Sequence, residues 1–93
     1  MPFAAVTNVN LEARDPADSE EMLREGLIPM IKALPGFQAA RFLRSLDGSR
    51  GVGAVIFDSE AKAKAALEMM ATNRPAEAPP VDSTAVYEVV VEV

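Results

Sequence analysis

The sequence contains no histidine, no cysteine and no tryptophan. Without histidine there is no Ser-His or Cys-His nucleophile pair, no His-held zinc or iron, and no near-neutral imidazole to move a proton. Without cysteine there is no disulfide framework, thiolate nucleophile or thiolate metal site, so no metal is expected. Aromatic side chains are reduced to four phenylalanines and one tyrosine, which leaves carboxylates, lysines and Tyr87 as the acid–base repertoire. Basic residues are also scarce: nine Lys and Arg against fourteen Asp and Glu give a net charge of -5. That balance argues against nucleic acid, whose backbone is held mainly by Lys and Arg replacing counterions. The opening Met-Pro-Phe-Ala-Ala-Val-Thr-Asn has neither a basic flank nor a long apolar run. Neither a signal peptide nor a membrane span is expected, and the expected location is cytoplasmic.

What is present is apolar: 49% of 93 residues are hydrophobic, enough for one domain spanning 1–93. A chain this short buries only about 60 to 65% of its unfolded surface, so a partner surface would add to a modest core. The stretch Arg50 to Phe57, R-G-V-G-A-V-I-F, organises the rest, because both of its faces are apolar and both need cover.

In chain order, Phe3 to Leu11 reads as a strand, with Phe3, Ala5, Val9 and Leu11 on one face and Ala4, Val6, Asn8 and Asn10 on the other. The two amides are ordinary exposed groups or, for Asn8, a cavity-lining one. Asp15-Pro16 then opens a helix, the aspartate as cap and the proline at the first helical position. Leu23, Leu27, Met30, Ile31 and Leu34 follow helical spacing. Pro29 lacks the N–H that residue 25 would receive, which predicts a kink or break over 25–29 before Pro35-Gly36 ends the helix.

Phe37 to Leu46 and Arg50 to Phe57 read as a hairpin around Asp47-Gly48. A two-residue loop would set Phe42 opposite Gly53, Arg41 opposite Ala54, Ala40 opposite Val55 and Gln38 opposite Phe57; a longer loop is expected to shift that register. Ser59 caps a second helix over Glu60 to Ala71, with Ala63, Ala66, Leu67 and Met70 inward. The proline-rich segment 72–84 reads as an irregular connector, inert or serving as a flap. Ala85 to Val93 alternates as a final strand.

This order predicts an α+β, ferredoxin-like βαββαβ fold: a four-stranded antiparallel sheet with two helices on one face. Two families with that plan resemble the chain. Arg50, Gly51, Gly53, Val55 and Phe57 resemble the strand signature of the RNA-recognition motif, but Val52 and Ala54 stand where the base-stacking rings belong, so no nucleic-acid partner is expected. The second resemblance covers nearly the whole chain. The long first helix, Leu34-Pro35-Gly36-Phe37, the strand end Phe42-Leu43-Arg44-Ser45, and Phe57-Asp58-Ser59-Glu60 entering an alanine-rich helix resemble the dimeric α/β-barrel superfamily, specifically its antibiotic-biosynthesis-monooxygenase-like domains.

That resemblance implies a homodimer formed sheet face to sheet face, with Val52, Ala54 and Ile56 toward the partner and Gly53, Val55 and Phe57 toward the helices. A small hydrophobic or aromatic ligand would sit between sheet and helices. Haem-degrading members use an Asn on the first strand, a Trp ending the third and a His on the second helix. Here Asn8 matches the first, Phe57 replaces the second and the third is missing, so haem degradation is not expected and no cofactor is assigned.

The ligand-binding candidates are Asn8, Arg41, Phe57 and Tyr87. Phe57 also reads as a plain core ring, and Arg41 and Arg44 as solvated charges. Two functions remain: a cofactor-independent monooxygenase-like enzyme acting on a small aromatic or polyketide-like molecule, or a non-catalytic dimer binding a hydrophobic metabolite or a protein partner. A cavity of several hundred cubic ångströms with two or more convergent polar groups would favour the enzyme. A layer filled by Phe57, Phe42, Leu27, Ile31 and Met70 would count against it.

Overall fold

The strand that needs cover on both faces lies inside the sheet. In the structure, a computed structural model describing residues 2–12, 15–72 and 79–93, β3 (Arg50–Phe57) runs between β2 (Phe37–Arg44) and β1 (Phe3–Asn10), with β4 (Val81–Glu88) beyond β1. Each neighbouring pair is antiparallel. The order β2-β3-β1-β4, with the helices packed on one face, is the ferredoxin-like arrangement.

On the helix side, Ala5 of β1 and Val55 and Phe57 of β3 meet Ile31 of the first helical region and Ala63 and Ala66 of the second in one buried cluster. Ala63 is fully buried, which its single methyl permits by letting the helix approach the sheet. The second helix, α3 (Glu60–Thr72), begins where expected. Its cap is made by Ser59 Oγ, which accepts from the Lys62 N–H at 3.2 Å. Asp15 caps the first in the same way, accepting from the Ala17 N–H at 2.8 Å.

The first helical region contains the disturbance expected of Pro29, in a specific form. α1 (Pro16–Met22) passes into a π-helical segment, Leu23–Leu27, and then into α2 (Ile28–Lys32). The Ile28 N–H reaches five residues back to the Leu23 carbonyl. Pro29 cannot donate to Glu25, and the wider π turn absorbs that missing bond without breaking the helix.

Three expectations are corrected. The hairpin loop holds four residues, Leu46 to Ser49: the Ser45 N–H bonds to the Arg50 carbonyl and the Gly48 N–H to the Ser45 carbonyl, both at 2.9 Å. The register is nevertheless the one expected near the turn, with Phe42 opposite Gly53, Arg41 opposite Ala54 and Ala40 opposite Val55. One residue was added on each side, so the extra length cancels. At the other end Phe37, not Gln38, faces Phe57, because a bulge takes up Gln38. The ring gains core contact and the amide stays in solvent.

The last strand is displaced most: it occupies Val81–Glu88 rather than 85–93. Alternation alone could not locate it, since pairing requires a neighbour and β1 runs out at Phe3, opposite Glu88. One further bond joins the Val89 N–H to the Pro2 carbonyl at 2.9 Å, after which Val90, Val91 and Val93 stand in solvent. The connector read over 72–84 is correspondingly shorter: Thr72 ends α3 and Val81 begins β4, while 73–78 lies outside the described residues.

In the hairpin turn, the exposed carboxylate of Asp47 accepts from the Ser49 N–H at 3.0 Å and from the Ser49 and Ser45 hydroxyls, both at 2.7 Å. Those donors, the Ser49 backbone foremost, favour the charged form and lower its pKa from 3.8 to about 2.

Candidate functional site

The helix-facing side of β3 reads Gly51, Gly53, Val55, Phe57, so side-chain volume grows steadily from the hairpin end to the α3 end. At the large end the layer is full: Phe57 and Val55 are buried under Ile31, Ala63 and Ala66. At the glycine end β3 itself contributes no side chain, and Val9, Leu11 and Phe42 from beside it lie over its backbone and face the helices across an open space. The result is a cavity of about 610 Å³ between sheet and helices.

Its floor and walls are mainly apolar: Val9 and Leu11 from β1 and its end, Phe42 from β2, Leu23 and Leu27 from the π segment, and Met30 and Met70 from α2 and α3. Both glycines are closely covered. A Cβ on Gly51 would lie 2.9 Å from a Val9 methyl, and one on Gly53 would lie 3.1 Å from the Phe42 ring. Among the described residues lining the cavity, the polar ones are Thr7 on the floor and Glu20, Arg24 and Arg44 at the rim. Glu20 and Arg44 form an ion pair, joining α1 to the end of β2 across the opening.

The four residues expected to line a cavity are not brought together. Phe57 is 0% exposed and belongs to the core at the filled end, as its plain reading had it. Asn8, Arg41 and Tyr87 lie on the opposite sheet face, in the successive cross-strand rows of Val52, Ala54 and Ile56. Asn8 donates to Ser83 Oγ at 3.1 Å and borders an open groove on that face with Arg50, Asp82 and Ser83. Arg41 and Tyr87 are exposed. The misplacement of Asn8 follows from strand alternation, since it shares a face with Ala4 and Val6 rather than with Ala5 and Val9. The signal for the real cavity was in the sequence as the growing series along β3, but the rim residues gave no comparable sign.

No family model and no curated protein matches the chain. Solved structures do. MhuD, a heme-degrader from Mycobacterium tuberculosis solved with two hemes bound in its active site, superposes with a TM-score of 0.75 at 20% identity, covering 98% of this chain and 98% of that one. The likeness is one of fold, the ferredoxin-like α+β arrangement of four antiparallel strands with helices on one face. A second structure, a monooxygenase from the gene ActVA-Orf6 of Streptomyces coelicolor in complex with the ligand Nanaomycin D, gives a TM-score of 0.64 at 21% identity, covering 98% of this chain and 89% of that one. Likeness at this identity concerns the ferredoxin-like fold and not the reaction. Among the described residues no helix is long and apolar enough to cross a membrane, and no three acidic side chains cluster as metal ligands.

Proposed function

We propose that the chain is a cofactor-independent monooxygenase acting on a small planar aromatic, polyketide-like molecule held between its sheet and helices. The observation that carries this is the cavity of about 610 Å³, apolar within and bordered by Glu20, Arg24 and Arg44. That volume suits two or three fused rings, and burial of such rings is favourable at roughly 25 cal/mol per Å². Structural likeness to a monooxygenase solved with a bound ligand supports the same reading. Haem does not suit these walls. They offer the thioethers of Met22, Met30 and Met70 but no imidazole, thiolate or phenolate; the chain has no His or Cys, and Tyr87 lies on the far sheet face.

In the proposed reaction an electron-rich aromatic such as an anthrone loses the two hydrogens of its ring methylene. Dioxygen provides the new quinone oxygen and leaves with those hydrogens as water. The protein's part is to hold the ring system away from bulk water and to stabilise negative charge on the substrate oxygen by guanidinium donors at the rim. Incubation of the protein with dithranol in air tests this: quinone absorbance and oxygen uptake should both rise above the protein-free rate. Raised thermal stability with no quinone would instead support the second reading, a non-catalytic binder. That reading draws on the rim position of every charged lining group described.

The protein is further proposed to act as a homodimer. The sheet face away from the helices exposes Leu43 and Tyr87 at 57% each around the half-buried Val6, Val52, Ala54 and Ile56, an apolar surface that a second copy would cover.

A further inference from the structure

The charge at the cavity rim runs against the charge of the chain. The protein carries a net -5, yet among the described residues two guanidiniums and a single carboxylate border this opening. Glu20 is already engaged by Arg44. Arg24 is different: among the described residues it forms no ion pair or hydrogen bond, although Glu20, Glu21 and Glu25 are its sequence neighbours.

A guanidinium with no partner among the described residues, at the mouth of an apolar cavity, is well placed to hold a ligand's anionic end. Leu23 and Leu27, on the same π segment, wall the cavity beside it. The interior provides only Thr7 as a polar group among the described lining residues, so a charged ligand group has to stay at the rim. We propose that Arg24 is a specificity-determining residue that selects planar apolar ligands carrying a carboxylate. A guanidinium matches a carboxylate with two parallel N–H donors, which a neutral group cannot exploit. The inference rests on the reading of this cavity as a ligand site and adds the charge of the ligand.

The test is fluorescence titration of the full chain with anthracene-2-carboxylate and, separately, with anthracene-2-carboxamide, at low salt and neutral pH. The carboxylate should bind about tenfold more tightly, the lower end expected of an ionic hydrogen bond at an exposed rim. R24Q should remove that preference while leaving carboxamide affinity unchanged, and R24K should keep part of it. Arg24 is exposed, so the variants should retain the native circular dichroism spectrum. Equal binding of both probes by the native protein overturns the inference but leaves the cavity reading intact. A preference kept in R24Q and lost in R44Q overturns it as well, assigning the anion to Arg44. Binding of neither probe removes both readings together.

Discussion

The Phe42 ring of β2 lies against the bare backbone of Gly53, its partner across the sheet, at 3.1 and 3.2 Å from where a Cβ would stand. Both residues border the cavity, so the glycine creates space that the ring then shapes. Gly53→Val would push the ring upward and add methyl groups to the cavity. The expected cost is about 1–3 kcal/mol, read by urea denaturation, together with loss of aromatic-ligand binding in a thermal-shift assay. Native-like binding by this variant would show that ligands do not use the cavity.

Gly36 adopts a φ of +79°, and a Cβ there would lie 2.5 Å from Lys62 Cδ and 2.6 Å from Asp58 Oδ1. Gly36→Ala should therefore cost about 1–2 kcal/mol from backbone strain alone. Adding Lys62→Ala should recover little, since the Asp58–Lys62 pair is exposed and Asp58 still crowds the site. Chemical denaturation of the single and double variants separates the two contributions.

Ile56 stands between Ala39 and Ala4 on the face assigned to a second copy. Ile56→Lys should convert a dimer to a monomer, because an unpaired ammonium would be buried at the contact. Sedimentation velocity at micromolar concentration reads this directly. A native protein that sediments as a monomer would remove the dimer.

Asp47 links the turn to pH. Its pKa is lower in the fold, about 2 against the usual 3.8, so folding favours the carboxylate. The stabilisation is fully present above pH 4 and is lost as pH falls from about 4 towards 2. Asp47→Asn should thus lower the melting temperature at pH 6, and the difference from the native protein should shrink over that acid range. A pH-independent difference would mean that the carboxylate's charge does not hold the turn.

The order of elements, the two caps and the interior place of β3 were all legible in the chain. Asp15 and Ser59 act on neighbours within three residues, and R-G-V-G-A-V-I-F states by its alternation that both faces must be covered. The ring of Phe57 was equally legible as core. Arg41, Asn8 and Tyr87 were not legible as a group, because their common face depends on how three strands align in space.

Sequence alone determined the secondary structure near local signals, the absence of imidazole and thiol chemistry, and the glycine-to-phenylalanine series that leaves one end of the layer open. Tertiary structure decided the rest. It set β4 over Val81–Glu88, where its backbone pairs along β1 from Val9 to Phe3, and placed Glu20 against Arg44 across a cavity mouth. Those outcomes depend on which groups, distant in the chain, meet across the sheet, and one sequence read by local spacing does not contain that information.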